Sequence, residues 1–241
     1  MSTAVVVDGA YFLRRIRYSF PHLDAADPRQ VAWAVMYMAG WHLRIRHRSE
    51  PLAAGDVTAG FVPSESMSLY RVFFYDCPPL TKRLHYPVSR RSLDLAKTPT
   101  AQLRLAIHAT LLDARKVALR LGRLNEDVSW VPKPEAFRRW LTGEFAPSDD
   151  DFEIKTVQKG VDMRLGLDVA SMAFKRQVDQ IILVAGDADF VPAAKLARRE
   201  GIDVVLDPMG GRAARDLLDH VDGVRECRMI DPPENKDWLI A

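Results

Sequence analysis

Aspartates stand directly after short apolar segments at several places in this sequence of 241 residues. Asp8 follows Ala4–Val7, while Asp187 and Asp189 follow Ile181–Val184 in the segment A-G-D-A-D-F. On neighbouring strands of one parallel sheet such aspartates lie close together at the same edge, where their charges repel one another. A divalent cation relieves that repulsion, and Mg²⁺ typically takes one or two carboxylates together with waters and phosphate oxygens. The pattern therefore predicts a metal site suited to phosphate chemistry.

Two further aspartates, Asp76 and Asp207, also follow largely apolar segments, which span residues 69–75 and 202–206. Aspartate is a common turn and helix-capping residue, so a single aspartate at a strand end is weak support for a site. Asp8 stands out because a glycine follows it and no helix-capping box is apparent. Asp207, which a proline follows, fits a turn better, and the sequence leaves the role of Asp76 open.

A helix predicted over Val161–Arg176 contributes Asp162 and Asp168, which flank its apolar stripe. An acid near the core side of a helix costs free energy unless it is paired or binds a metal. Asp162 either joins the site or caps the helix, where it favours the positive end of the helix dipole. Asp168 either joins the site or forms a salt bridge with a neighbouring arginine or lysine.

The elements that must position these acids alternate along the chain. The four apolar segments are typical of strands that are buried on both faces. Helices are predicted over Pro28–Leu43, Thr100–Leu121, Val161–Arg176, Pro192–Arg199 and Arg212–His220. The alternation of strands and helices favours an α/β domain with a parallel sheet flanked by helices. Ligands of such sheets bind outside the carboxyl ends of the strands.

The sequence predicts a single domain over residues 1–230, followed by a C-terminal tail at 231–241. An insertion at about 77–155, mostly helical or loop, interrupts the alternation. Its last part, Ser129–Asp151, contains prolines and an acidic run and is predicted to be a loop. A second loop is predicted over Glu50–Ser68, which is rich in proline, glycine and serine.

Charge is unevenly distributed. The segment Thr81–Arg123 contains ten basic and two acidic residues and carries a net charge of +8, whereas the whole chain carries +2. A basic block in a chain that is acidic elsewhere favours a polyanionic partner. The alternative is a solvated helix face that buries only the stems of its arginines and lysines.

Several classes of protein are excluded. Of the residues, 48% are hydrophobic and 27% are charged, which indicates a folded chain, and no apolar run approaches the roughly 20 residues of a membrane span. Cys77 and Cys227 are far apart and lack zinc-ligand spacing, and the N-terminus lacks a secretory pattern. We therefore expect a cytoplasmic protein without a membrane partner. A dinucleotide-binding oxidoreductase would need a G-x-G-x-x-G turn, and a haloacid dehalogenase phosphatase would need a second aspartate two residues after Asp8.

Four segments resemble a known family, the NYN domain, and more narrowly its bacterial LabA-like branch within the PIN-like nuclease superfamily. They are V-V-V-D-G-A at Val5–Ala10, K-G-V-D-M-R-L-G-L-D at Lys159–Asp168, I-I-L-V-A-G-D-A-D-F-V-P at Ile181–Pro192 and A-R-R-E-G-I-D-V-V at Ala197–Val205. The order and spacing of the second and third segments around a strand are specific. The resemblance covers both ends of the chain, about half of it, and leaves the basic middle unmatched.

The resemblance implies a Rossmann-like, PIN-like sheet and hydrolysis of RNA with Mg²⁺ or Mn²⁺. Carried over by position, it implies catalytic and metal-binding roles for Asp8, Asp162, Asp187 and Asp189, and supporting roles for Asp168 and Lys159. A metal held there could lower the pKa of its bound water and generate hydroxide near neutral pH. Tyr11 stands where many members have asparagine, which favours an alternative: a catalytically weak module that binds RNA or a protein partner.

The basic block would deliver the substrate, which we expect to be single-stranded RNA. Contacts of lysine and arginine with phosphates give affinity that carries no sequence information. The predicted RNA-binding residues are Lys82, Arg83, Arg90, Arg91, Arg115 and Lys116, with Tyr86 as a candidate for stacking on bases. The sequence leaves open whether the chain acts as a monomer or a homodimer.

Overall fold

The computed structural model describes residues 2–45, 68–125, 128–156 and 158–229. Their strands are β1 (Ser2–Asp8), β2 (Ser68–Asp76), β3 (Arg83–His85), β4 (Ser92–Asp94), β5 (Val117–Leu121), β6 (Arg123–Leu124), β7 (Ser129–Pro132), β8 (Phe152–Lys155), β9 (Gln158–Lys159), β10 (Gln180–Val184), β11 (Asp203–Asp207) and β12 (Gly223–Val224). Their α-helices are α1 (Gly9–Ser19), α2 (Pro28–Ile45), α3 (Pro99–Asp113), α4 (Pro134–Leu141), α5 (Val161–Phe174), α6 (Val191–Arg199) and α7 (Arg215–Leu218).

Six strands form one sheet in the order β12-β11-β10-β1-β2-β5, and every neighbouring pair is parallel. Both faces of this sheet are covered, which is why its central strands are almost wholly apolar. In β1, Val5 and Val7 pack into a core with α1, α2 and α3, while Ala4 and Val6 pack into a second core with α5 and α6. The α/β parallel-sheet class predicted from the sequence is confirmed.

The predicted helix over Thr100–Leu121 is wrong in its second half. Helix α3 ends at Asp113, and the chain turns at Lys116, whose φ of 64° lies in the left-handed region. Residues Val117–Leu121 then form β5, the edge strand that pairs with β2. The region predicted as an insertion at 77–155 therefore contributes a strand to the main sheet, and the domain boundaries themselves stay a prediction.

The rest of this region forms small antiparallel pairs beside the sheet. β3 pairs with β4, β7 with β8, and β6 with β9. The predicted loop Ser129–Asp151 instead contains β7, α4 and a short 3₁₀ turn at Asp149–Asp151. Except for Ser68, which begins β2, the loop predicted over Glu50–Ser68 lies outside the described residues, as does the tail at 231–241. No helix among the described residues is long and apolar enough to cross a membrane.

Candidate functional site

Three of the predicted catalytic acids lie at the carboxyl edge of the sheet, on adjacent strands. Asp8 is the last residue of β1, which pairs with β10 so that Val7 lies opposite Val184. The segment that follows β10 carries Asp187 and Asp189. Parallel pairing without a register shift between these two strands is what places their ends, and the acids that follow, side by side.

Asp8 is half-buried and caps α1, because its Oδ1 accepts a hydrogen bond of 3.1 Å from the backbone N–H of Tyr11. The sequence pattern did not indicate this cap. The residue after it, Gly9, lies so close to β2 that a Cβ atom there would come within 2.7 Å of the carbonyl oxygen of Tyr75. The cap and this close approach together fix where the carboxyl group of Asp8 stands.

Asp162 lies in the first turn of α5, but it does not cap that helix. Gly160 occupies the cap position with a φ of 80°, and no side chain caps the helix there. Asp162 and Asp189 are both exposed, and within the described residues neither side chain makes a hydrogen bond or an ion pair. Asp187 accepts a hydrogen bond of 3.3 Å from the backbone N–H of Asp189. These carboxylates keep oxygens that are open to a ligand.

The four acids share one electrostatic environment. Burial raises the pKa of Asp8 above its ordinary value of 3.8, and the charge of Asp162 adds to the rise. Burial likewise raises the pKa of Asp162, and the charges of Asp189 and Asp187 raise it further. The charges of Asp162, Asp187 and Asp189 therefore make the ionisation of a neighbouring carboxyl group less favourable. The structure places Asp162 within electrostatic range of the other three acids, although the catalytic role of all four stays a prediction.

Asp168 forms the salt bridge that was one of its two alternatives. Its Oδ2 accepts hydrogen bonds of 2.9 Å from both the Nε of Arg120 and the hydroxyl of Tyr75. Burial, followed by the charge of Asp168, raises the pKa of Tyr75. Lys159 is exposed in β9, directly before the turn that starts α5. Supporting roles for Asp168 and Lys159 in the site stay predictions.

The donor set of this cluster fits a hard divalent cation. All four groups are carboxylates, the ligands that Mg²⁺ and Mn²⁺ favour, and their mutual repulsion would be relieved by a positive charge. Within the described ranges, no three His, Cys, Asp or Glu side chains are arranged to hold one ion together. An ion that keeps several waters and takes only one or two carboxylates needs no such trio. The residues present fit an ion of that kind.

Asp76, whose role the sequence left open, is a buried anchor at the end of β2. It is bound by the Nε of Arg104 at 2.7 Å, by a second nitrogen of the same guanidinium, and by the Nε2 of His108 at 2.7 Å. Burial alone would raise the pKa of Asp76, but the hydrogen bonds from His108 and Arg104 hold it below its ordinary value. Sequence reasoning missed this cluster because both partners belong to α3, 28 and 32 residues further along.

Asp207 has the turn role that the sequence favoured. Its Oδ1 accepts a hydrogen bond of 2.8 Å from the backbone N–H of Met209, and its Oδ2 accepts one of 3.0 Å from the backbone N–H of Cys227. The Nε2 of His42, on α2, lies 2.8 Å from the same Oδ2, and both side chains are fully buried. The pairing with His42 carries no local sequence signal, since 165 residues separate the two.

The predicted RNA-binding residues lie on two opposite sides of the sheet. The β3–β4 hairpin connects the end of β2 to the start of α3 and so leaves from the carboxyl edge, as the candidate site does. It carries Lys82, Arg83, Arg90 and Arg91. By contrast, Arg115 and Lys116 lie between the end of α3 and the start of β5, at the amino edge of the sheet. The structure does not bring these two near the acids.

Tyr86 is already in contact with other side chains. Its ring stacks on Trp130 with centroids 5.7 Å apart, and the guanidinium of Arg91 lies 5.6 Å from its centre. Arg91 also pairs with Asp149 at 3.6 Å. These contacts fasten the β3–β4 hairpin to the region of β7, and Tyr86 contributes to that packing.

Comparison with known proteins supports the same class of fold. Residues 132–224 match the NYN domain family. The matched segment contains Asp162, Asp187 and Asp189, whereas Asp8 lies outside it and joins them through the pairing of β1 with β10. An NYN domain in this part of the chain agrees with a PIN-like nuclease fold.

One relative is an uncharacterized protein, MJ0482, of Methanocaldococcus jannaschii. It is 30% identical over 83 residues, which are 33% of this chain and 35% of that protein. The chain thus spans about a third of the length of this curated relative. No solved structure matches the chain.

Proposed function

We propose that this protein is a metal-dependent ribonuclease that hydrolyses RNA phosphodiester bonds, with Mg²⁺ or Mn²⁺ bound at the cluster of Asp8, Asp162, Asp187 and Asp189, of which one or two would coordinate each ion. One observation carries the proposal: acids from three separate segments converge at the carboxyl edge, where the charge of Asp162 adds to the raised pKa of Asp8 and the charges of Asp189 and Asp187 add to the raised pKa of Asp162. A fold gains no stability from such repulsion, so a bound cation is the simplest reason to maintain it. Within the superfamily, the motifs favour the LabA-like branch, and we expect the protein in the cytoplasm.

The chain's own residues would hold, orient and leave room for the reacting groups. Asp8 is fixed by its hydrogen bond from Tyr11, and the exposed Asp162 and Asp189 have carboxylate oxygens without a hydrogen bond among the described residues. When bound, a divalent ion would lower the pKa of a coordinated water and neutralise charge on the phosphate. Because the carboxylates alone repel RNA, substrate and cation are expected to bind together. No side-chain nucleophile is required.

A second candidate function is an RNA-binding or protein-binding module with weak catalysis. The observation that favours it is Tyr11, which stands where many relatives of this type have asparagine. A phenol cannot offer the carbonyl oxygen and amide N–H groups of that side chain. In this alternative the acidic cluster would remain, but cleavage would be slow.

Cleavage of labelled single-stranded RNA in Mg²⁺ or Mn²⁺ tests the proposal. We expect Asp8→Asn and Asp187→Asn each to lower the cleavage rate by roughly 100-fold, because a carboxylate that holds the cation is lost. Asparagine caps helices about as well as aspartate, so Asp8→Asn removes the charge while α1 keeps its cap. Asp113→Asn, at the exposed end of α3, makes the same change at the opposite edge of the sheet and serves as the matched control.

The outcomes separate the two candidates. Loss of cleavage in both site variants with normal cleavage in Asp113→Asn supports the ribonuclease. RNA binding without cleavage by the wild-type protein supports the module. Equal cleavage by wild type and all variants would mean that a contaminating nuclease produces the signal, and it would refute the assignment of these acids.

A further inference from the structure

Side chains of helix α1 form hydrogen bonds with the turn that follows β11. The hydroxyl of Tyr11 donates a hydrogen bond of 2.6 Å to the carbonyl oxygen of Pro208. One turn further along the helix, the Nε and Nη2 of Arg15 donate to the carbonyl oxygen of Met209 at 3.2 and 3.1 Å. Residues four apart lie on one face of a helix, so a single face of α1 holds this turn in place.

The ring of Tyr11 also lies directly against Gly186, the residue before Asp187. A Cβ atom at Gly186 would come within 2.5 Å of Cε2 of Tyr11, and one at Gly211 within 2.3 Å of its hydroxyl oxygen. The carbonyl oxygen of Gly186 is held separately by the backbone N–H of Ala214, at 3.0 Å. The phenol ring therefore occupies the space above two glycines and limits where the backbone before Asp187 can lie.

Tyr11 thus contacts two of the three segments that carry the candidate acids, those of Asp8 and of Asp187. Its backbone N–H binds the carboxyl group of Asp8, and its ring packs on the residue before Asp187. These two contacts start from one residue in the first turn of a helix, so they fix the two acids relative to each other. The separation of catalytic groups matters, since a displacement of about 1 Å can lower a rate by roughly 100-fold.

We propose that Tyr11 is a positioning residue of the candidate site, which sets the segment of Asp187 and Asp189 against Asp8 by packing. The inference rests on the proposed function. It also gives the tyrosine at this position a role that does not depend on the amide chemistry of asparagine. On this view the ring is the essential part, and the hydroxyl mainly secures the turn at residues 208–211.

Kinetics of variants at the contact of Tyr11 with Gly186 test this role. Tyr11→Phe keeps the ring and should cleave RNA with kcat within about threefold of wild type. Tyr11→Ala removes the ring and should lower kcat by about 10- to 100-fold, while the KM for RNA changes less than about twofold, because the basic residues that bind phosphates are untouched. A general loss of structure in Tyr11→Ala would change both kcat and the KM for RNA. A lowered kcat with a nearly unchanged KM, restored by phenylalanine, therefore indicates a positioning role.

Gly186→Ala provides the complementary test, because the tyrosine is intact but a methyl group is forced against its ring. We expect it to lower kcat by about tenfold or more. Combined with Tyr11→Ala, the methyl group has room, so the double variant should be no slower than Tyr11→Ala alone. Such non-additivity is the signature of a direct contact. If Tyr11→Ala does not fold, Tyr11→Phe and Gly186→Ala still carry the comparison.

The dissociation constant for Mn²⁺ alone is measured on each variant as a second readout. An active wild-type protein whose kcat and Mn²⁺ affinity are unchanged in Tyr11→Ala and Gly186→Ala would overturn the role of Tyr11 only. A wild-type protein that neither cleaves RNA nor binds Mn²⁺ would overturn the proposed function, and the positioning role with it. If the protein binds Mn²⁺ without cleaving, the same pattern of loss and non-additivity in Mn²⁺ affinity decides the matter.

Discussion

The acids at the carboxyl edge are of two kinds. Asp76 and Asp207 are buried and fully engaged by histidine, arginine or backbone N–H groups, so their charges are compensated within the fold. Asp162 and Asp189 are exposed, and the described residues offer them no such partner. Asp76 and Asp207 need no functional explanation, since a buried charge must be paired and their partners are part of the fold. The second kind adds repulsion that the fold does not need, and it marks the place where a ligand would contribute.

The charge of Asp8 should cost stability in the protein without metal. Because its folded-state pKa lies above the ordinary 3.8, the ionised group is disfavoured in the fold at neutral pH, and that cost disappears as the pH falls through the raised pKa. Asp8→Asn should therefore raise the unfolding midpoint at pH 7 by about 2 °C, with a smaller difference near pH 4. Thermal unfolding in a chelator, repeated with Mn²⁺, measures this.

Mn²⁺ should reverse the order of the unfolding midpoints of the wild type and Asp8→Asn. The ion stabilises a native state that binds it, so the wild type should gain more than Asp8→Asn as the Mn²⁺ concentration rises. Asp162→Asn is expected to behave in the same way, since the charges of Asp189 and Asp187 act on that group as well. A lower midpoint for Asp8→Asn at pH 7 without metal would contradict the view that burial and the charge of Asp162 disfavour the ionised form of Asp8.

At the scale of elements, α1 and α3 brace the carboxyl edge from the same face of the sheet. Helix α1 starts at Asp8 and holds the turn after β11. Helix α3 reaches the end of β2 through Arg104 and His108, which bind Asp76. Each brace joins elements that are distant in the sequence. The edge that carries the candidate site is therefore fixed by polar contacts from two helices as well as by the sheet itself.

Removal of the charge of Asp76 should weaken this bracing. Asp76→Asn leaves Arg104 and His108 without their carboxylate, and breaking a buried pair in this way costs about 3–5 kcal/mol of unfolding free energy. Denaturant unfolding measures the loss. As the control, Asp113→Asn, on the helix that carries Arg104 and His108, should have an unfolding free energy within about 0.5 kcal/mol of wild type. A loss below about 1 kcal/mol would show that the cluster contributes little.

The carboxyl group of Asp76 should also make the stability of the protein sensitive to acid. The pKa of Asp76 is held below its ordinary 3.8, so its contribution to stability is present above that value and is lost as the pH falls through the lower folded-state pKa. The unfolding free energies of the wild type and of Asp76→Asn should thus converge in acid.

At the scale of the whole molecule, the sequence predicted the sheet better than the contacts that hold it. Strands β1, β2, β10 and β11 are largely buried on both faces, and mostly apolar runs followed by aspartate indicate this, although Arg71 and Asp203 interrupt two of them. Strand β5 was missed because Leu103, Ile107 and Leu111 have helical spacing and Val117 was assigned to the same helix, although its distance of six residues from Leu111 does not fit that spacing. The helix ends without a glycine or proline, and the left-handed backbone of Lys116 has no signature in residue type.

The site could be predicted in part for the same reason. Aspartates beside strands are visible in the sequence, so Asp8, Asp187 and Asp189 were accessible to reasoning from topology. The role of Tyr11 was not, since its hydroxyl binds a residue 197 positions away. Contacts of this kind depend on how two loops are packed, and neither composition nor periodicity records that.

The fold also divides the basic block that looked continuous in the sequence. Arg104 and Arg120 are committed to Asp76 and Asp168, so they neutralise internal charges. Of the rest, the β3–β4 hairpin leaves from the carboxyl edge, whereas Arg115 and Lys116 stand at the amino edge. If RNA reaches the acids along the hairpin, only the first group contributes to binding, although all belong to one stretch of sequence.

Replacing basic residues on each side distinguishes the two groups. Arg83→Gln combined with Arg90→Gln removes two charges from the hairpin; the side chain of Arg83 is 78% exposed, and its pairing with Asp94 at 3.5 Å adds little stability. We expect this double variant to bind single-stranded RNA more weakly and to lower the slope of log K against log salt by about 1.4, or about 0.7 for each lost phosphate contact.

Arg115→Gln with Lys116→Gln, which removes the same charge from the amino edge, should leave affinity and slope nearly unchanged. Binding measured by fluorescence anisotropy between 50 and 200 mM salt (about the range in which such slopes are resolved) decides between them. Equal losses in both double variants would mean that net charge alone attracts RNA, and that the hairpin is no dedicated path to the site.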